Sequence, residues 1–151
     1  MESAMNSLQS NPAFIAYAIA CLILSTNLIF LWAFSGATRG KTKTAINPED
    51  AAKFGGTLVE SDPPEVARVL RAHTNAQANI YPFLFLGLVF VLAGGSACVA
   101  QIIFSIFVAA RLAHTFVYLK GKQPWRSIFF IIGGLATIGL MLDIIWLLIR
   151  G

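Results

Sequence analysis

Two tracks of polar side chains stand at helical spacing in this sequence. Arg68, Arg71, Asn75 and Asn79 follow an i, i+3, i+7, i+11 pattern; Arg111, His114, Thr115 and Tyr118 form a second track. Each pattern puts its members on one stripe of a helix. Arg126 and Ser127 follow Pro124, and Arg39 stands ahead of the first track. Together these residues offer recognition of an anion. Arginine presents a planar fork suited to carboxylates, and the free amides of a helix beginning near Ser127 favour negative charge. His114 with Tyr118 on one face makes a hydrogen-bonding wall. The plainer alternative is an arginine that snorkels to phosphate headgroups. Lys41, Lys43, Lys120 and Lys122 are read that way; Arg71 and Arg126 are read as ligand-binding. No metal site is expected, because Cys and His at ligand spacing are absent. Cys21 and Cys98 fall in apolar stretches and read as buried free thiols.

The elements that position these groups are membrane helices. Of 151 residues, 57% are hydrophobic and 12% charged, with a mean hydropathy of +0.73. A soluble domain of this size cannot cover so much apolar surface. Four stretches are long enough to cross a hydrocarbon core, which takes about 20 residues: 13–34, 80–100, 102–119 and 128–149. The fold class expected is an all-α integral membrane protein, a four-helix transmembrane bundle in one domain over 1–151. The opening "MESAMNSLQSNP" has Glu2 and no basic residue, unlike a secretory signal, so the first span reads as a retained helix.

Nine of the eleven Lys and Arg lie in two connections, between spans one and two and between spans three and four. The positive-inside rule puts both connections in the cytoplasm and both termini on the opposite side. The host membrane is then the endoplasmic reticulum in a eukaryote or the cytoplasmic membrane in a bacterium. The net charge of +4 follows from this bias and needs no nucleic-acid partner.

The long connection, 35–79, carries two helix starts. "NPED" offers Asn47 as N-cap and Pro48 at the first helical position, with Gly55 and Gly56 closing the helix. "SDPPE" offers Asp62 as cap with Glu65 three residues on. Nothing then stops the second helix before the membrane, so it should be continuous with span two and bend near Pro82. Arg39, Arg71, Asn75, His114, Tyr118, Arg126 and Ser127 thereby fall in one layer at the cytoplasmic interface. Arg111 lies about nine residues, or ~14 Å, from the cytoplasmic end of its span, near mid-membrane. The only acid in any span is Asp143, a conceivable partner at a different depth. The pocket so inferred is cationic and opens to the cytoplasm. It suits a small soluble anion with several carboxylates, and a second, lipophilic ligand could arrive sideways from the bilayer.

"NPEDAAKFGG", "SDPPEVARVLRAHTNAQANIYPFLFLG", "ARLAHTFVYL" and "PWRSI", in that order, resemble the membrane-associated proteins in eicosanoid and glutathione metabolism. The similarity covers residues 39–146 and is strongest toward the microsomal prostaglandin E synthase and glutathione transferase branches. It implies a homotrimer of four-helix subunits with glutathione bound between them near the cytoplasmic face. Carried over by position, Arg39, Arg71, Asn75, His114 and Tyr118 would hold glutathione, and Arg126 and Ser127 would sit at its sulfur. Asp50 matches an acid that assists proton movement or steers Arg126. The implied activity is attack of the glutathione thiolate on a lipophilic electrophile, peroxide or endoperoxide: a transferase, peroxidase or prostaglandin E synthase-like isomerase. Where the family stripe carries two glutamates this chain has Ala67 and Ala78. Thr74 replaces an arginine, Phe130 a tyrosine, and Ile131 and Gly134 polar residues. A non-catalytic lipid-binding scaffold of the lipoxygenase-activating type is the alternative, and a small transporter a third reading.

Overall fold

A computed structural model of the chain describes residues 8–150; the segment around Glu2 lies outside them. Four helices are long and apolar enough to cross a membrane: α1 (Pro12–Thr42), α3 (Pro64–Leu92), α4 (Ala97–Leu119) and α5 (Trp125–Arg150). A short helix, α2 (Pro48–Phe54), lies between two-residue strands β1 (Thr44–Ala45) and β2 (Thr57–Leu58), which pair in parallel.

Helix α1 begins where Asn11 Oδ1 accepts from the Ala13 amide at 2.9 Å, with Pro12 in the first turn. It continues past residue 34, where the apolar run ends. Ser35 and Thr38 turn their hydroxyls back onto the Trp32 and Phe34 carbonyls, both at 2.7 Å, so they leave no polar group unpaired. Lys43, at φ 51°, ends it. Helix α2 starts after Asn47 and closes on Gly55 at φ 71°, whose amide donates to Ala51 O. Asn47 makes no side-chain cap bond there; its Nδ2 instead donates to Asp50 Oδ2 at 3.1 Å.

Helix α3 runs unbroken from the connection into the span, through Pro82, as the absence of any stop requires. Two details differ from expectation. Asp62 does not cap it: Pro63 occupies that position, and the Asp62 carboxylate takes the Arg39 fork instead, with both bonds at 3.0 Å. A guanidinium offers two charge-assisted bonds where a cap amide offers one. The turn into α4 falls at 93–96 rather than after residue 100. Gly94 has φ 78°, and a Cβ on Gly95 would overlap the Phe90 ring. Hydropathy runs through this turn because its residues, Ala93, Gly94, Gly95 and Ser96, are small and uncharged.

Helices α3 and α4 form the centre. Helix α1 packs on both, and α5 packs on both from elsewhere; among the described residues α1 and α5 do not touch. Phe83 stacks on Phe107 with centroids 3.5 Å apart and meets Phe104 edge-on at 5.7 Å. Leu24, Leu31, Ile80 and Leu140 complete the core. Gly87 lets α3 approach, since a Cβ there would lie 3.1 Å from the Tyr17 ring. Asn27 Nδ2 donates to Thr115 Oγ1 at 3.1 Å inside the bundle. The outer surface is the reverse of a soluble protein's: Leu22 is 71% exposed, Phe85 72% and Ile149 77%. Only lipid or another protein surface matches such a face. The chain is a multi-pass integral membrane protein.

Candidate functional site

A cavity of about 330 Å³ opens at the α4–α5 end of the bundle. It is lined by Asn75 of α3, His114 and Tyr118 of α4, and Arg126, Ser127, Phe130 and Ile131 of α5. The helical repeat accounts for this meeting. His114 and Tyr118 are four apart on α4, with ring centroids 5.5 Å apart. Ser127 and Ile131 repeat that spacing on α5. His114 is 2% exposed and also packs on Phe130 at 6.1 Å. Five residues singled out in the sequence therefore share one cavity: Asn75, His114, Tyr118, Arg126 and Ser127.

The Arg126 guanidinium lies over the Tyr118 ring, 4.9 Å from its centroid, where the ring's negative face attracts it. The sequence reading missed Gln123. A guanidinium has donors and no acceptor, so the Gln123 amide must turn its oxygen toward it. In that orientation Gln123 Oε1 accepts from Arg126 Nη2 at 2.8 Å and Nε at 3.2 Å, and Nε2 donates to Ser127 Oγ at 3.2 Å. The available sign was its spacing, three and four residues before Arg126 and Ser127.

Behind the cavity wall lies Arg111, fully buried. Its Nη2 donates to Asn75 Oδ1 at 2.8 Å, while Nε and Nη1 have no partner. Asp143, the conceivable counter-ion, does not pair with it; among the described residues the one salt bridge is Arg39–Asp62. The two lie on different helices at different depths, and Asn75 is the polar group within reach. With Arg111 behind and Arg126 at the lip, and no carboxylate in the lining, the cavity favours an anion.

The other three singled-out residues lie elsewhere. Arg39 and Asp50 line a separate cavity of about 380 Å³ with Lys43, Asn47 and Phe54, between the end of α1 and α2. Arg71 is exposed on α3 and does not line the Arg126 cavity. Cys21 is half-buried and Cys98 exposed, both free, so Cys98 departs from the buried thiol expected: the turn at 93–96 places it at the start of α4.

A family model described as the MAPEG family matches residues 17–146. The chain is 38% identical over 144 residues to a prostaglandin E synthase of Equus caballus, covering 95% of this chain and 92% of that protein. It is 37% identical over 138 residues to the Homo sapiens prostaglandin E synthase, covering 91% of each. Microsomal glutathione S-transferase 1 of Mus musculus is 36% identical over 135 residues, with 85% and 86% covered. The matched span includes every residue that lines the cavity. The chain belongs to the MAPEG family.

Proposed function

We propose that this protein is a glutathione-dependent membrane enzyme acting on a lipophilic electrophile, peroxide or endoperoxide that enters from the bilayer. The names of its relatives, prostaglandin E synthase and glutathione S-transferase, support this reading. The observation that carries it is the cavity in which a cation, a hydroxyl, an imidazole, a phenol and an amide converge from three helices.

These residues suit glutathione, an anion rich in acceptors. Arg126, Ser127 and Tyr118 can donate, and Asn75 Oδ1 is already taken by Arg111, which leaves the Asn75 NH₂ for a carbonyl or carboxylate. Bound glutathione supplies a thiol whose ionised form is the nucleophile. Arg126 and Ser127 hold negative charge at the lip of the cavity. Asn75, His114 and Tyr118 orient the peptide beneath it. The apolar rim, Phe130 and Ile131, faces the direction from which a lipophilic partner arrives.

A tripeptide with two carboxylates needs more cations than this cavity supplies. Arg39 and Asp50 line a separate cavity of the same subunit, Arg71 stays exposed one turn from Asn75 without lining the Arg126 cavity, and α1 and α5 keep broad apolar surfaces free. A homotrimer in which Arg39, Arg71 and Asp50 of one copy complete the Arg126 cavity of the next satisfies both facts. The Arg39–Asp62 contact uses Nε and one Nη2 hydrogen, so the Nη1 donors remain for a ligand. The basic connections then face the cytoplasm, where glutathione is abundant, and both termini lie opposite.

Turnover in detergent of a chromogenic electrophile and of a lipid endoperoxide, each with and without glutathione, tests the reading. At least one should require glutathione, and Arg126→Ala should lower its rate by roughly a hundredfold, the scale of losing one charge-stabilising donor. Turnover indifferent to both changes would refute the assignment.

A further inference from the structure

Gln123 holds the two groups placed at the sulfur, Arg126 and Ser127, with one side chain. Its oxygen takes two N–H donors of Arg126 and its NH₂ gives a proton to Ser127 Oγ. The consequence for each partner is specific. Arg126 loses freedom: Nε and one Nη2 hydrogen are tied, and the Tyr118 ring lies 4.9 Å beneath, so the remaining donors point onward in a fixed direction. Ser127 changes role. A helical serine otherwise turns its proton back onto a carbonyl in the preceding turn. Because Ser127 Oγ accepts from Gln123, its own proton is free to be donated into the cavity it lines.

We propose that Gln123 is a positioning residue for thiol ionisation: it commits the Ser127 proton, and the free face of Arg126, to the sulfur of bound glutathione. This rests on the reading that Arg126 and Ser127 sit at that sulfur. On ionisation the thiol proton leaves to water at the open mouth of the cavity. The electron pair left on sulfur then accepts the Ser127 O–H and faces the guanidinium. Gln123 touches neither ligand nor reacting atom, and acts only through its two neighbours.

Gln123 is exposed, so its replacement does not threaten folding. Gln123→Leu removes both contacts; Gln123→Glu keeps the acceptor for Arg126 but cannot donate to Ser127. The measurement is the ultraviolet thiolate absorbance of glutathione bound to the detergent-solubilised protein, titrated with pH, alongside calorimetric affinity at a pH where the thiol is protonated. Wild type should show the lowest midpoint. Gln123→Leu should raise it by about one pH unit, a tenfold change in ionisation that corresponds to roughly one hydrogen bond to a charge. Affinity for the protonated form should stay within about twofold. Gln123→Glu should raise the midpoint further, because it adds a negative charge beside Arg126 as well. A Gln123→Leu midpoint that coincides with wild type overturns the proposal. Arg126→Ala separates the two levels of the reading. If it shifts the midpoint while Gln123→Leu does not, Gln123 alone is wrong. If neither shifts it, the placement of Arg126 at the sulfur falls too.

Discussion

Replacing Arg111 by methionine should separate stability from binding. An arginine in mid-membrane costs about 2.5–3.5 kcal/mol on insertion scales, and this one carries two N–H groups without a partner. Against that stands one charge-assisted bond to Asn75, at 2.8 Å, worth about 1.5–3 kcal/mol. Methionine fills the stem of the side chain, whose Cδ lies against Gly133, and removes the buried charge. The freed Asn75 oxygen faces a half-open cavity where water can reach it. Gain and loss then nearly cancel, and stability should change by no more than about 1 kcal/mol, far below the ~3–5 kcal/mol of breaking a buried ion pair. Glutathione affinity should nonetheless fall about tenfold, since the Asn75 amide is no longer held with its donors toward the ligand. Reversible unfolding in mixed micelles reads the first quantity and calorimetric titration the second. A loss above about 3 kcal/mol would refute the reasoning, because it would mean that Arg111 neutralises an anionic partner. Unchanged affinity would refute its link to the site.

Three further outcomes follow from the packing. Asn27→Leu removes the interhelical bond to Thr115, 3.1 Å long, and should cost about 0.6–1.7 kcal/mol in micelle unfolding. Gly87→Val places atoms against the Tyr17 and Phe104 rings, where even a Cβ would lie at 3.1–3.3 Å. It should cost about 1–3 kcal/mol by the same measurement; an unchanged value would mean that α1 and α3 are farther apart. Asp62→Ala releases the side-on Arg39 contact, worth about 1 kcal/mol at most for a partly exposed pair. Limited proteolysis should then cut residues 43–63 faster, while cleavage at the α4–α5 connection stays as before.

Much of this architecture is legible in the sequence because lipid imposes a simple rule. Long, predominantly apolar segments cross it as helices, and the entry of α3 into the membrane follows from the lack of any breaker between Pro64 and the start of the span; Pro82, inside the span, does not interrupt the helix. The cavity was legible for a related reason: depth along a helix is countable, so Asn75, His114, Tyr118, Arg126 and Ser127 could be assigned to one layer. Which faces meet within a layer is not countable. Arg39 and Arg71 were assigned to that layer too, yet Arg39 lines a separate cavity with Asp50, and Arg71, one turn before Asn75, stays exposed outside the lining, since helix rotation and the path of the connection set direction. The turn at Gly94–Gly95 was hidden because hydropathy does not distinguish small apolar residues in a turn from those in a helix. Asp62 satisfied a capping pattern, yet a distant cation outcompeted the local amide. Strands β1 and β2, two residues each, carry no periodicity at all. Gln123 stayed invisible for the reason Asn75 did as a partner of Arg111: an amide's role is fixed by whatever lies within hydrogen-bond reach of each end.

The most direct test of glutathione activation at Arg126 and Ser127 is the thiolate absorbance that appears when purified protein is titrated with glutathione at neutral pH. Wild type should give a saturable signal, and Arg126→Ala should lose it while remaining folded. No saturable signal in wild type, or an undiminished one in Arg126→Ala, would contradict activation at this cavity.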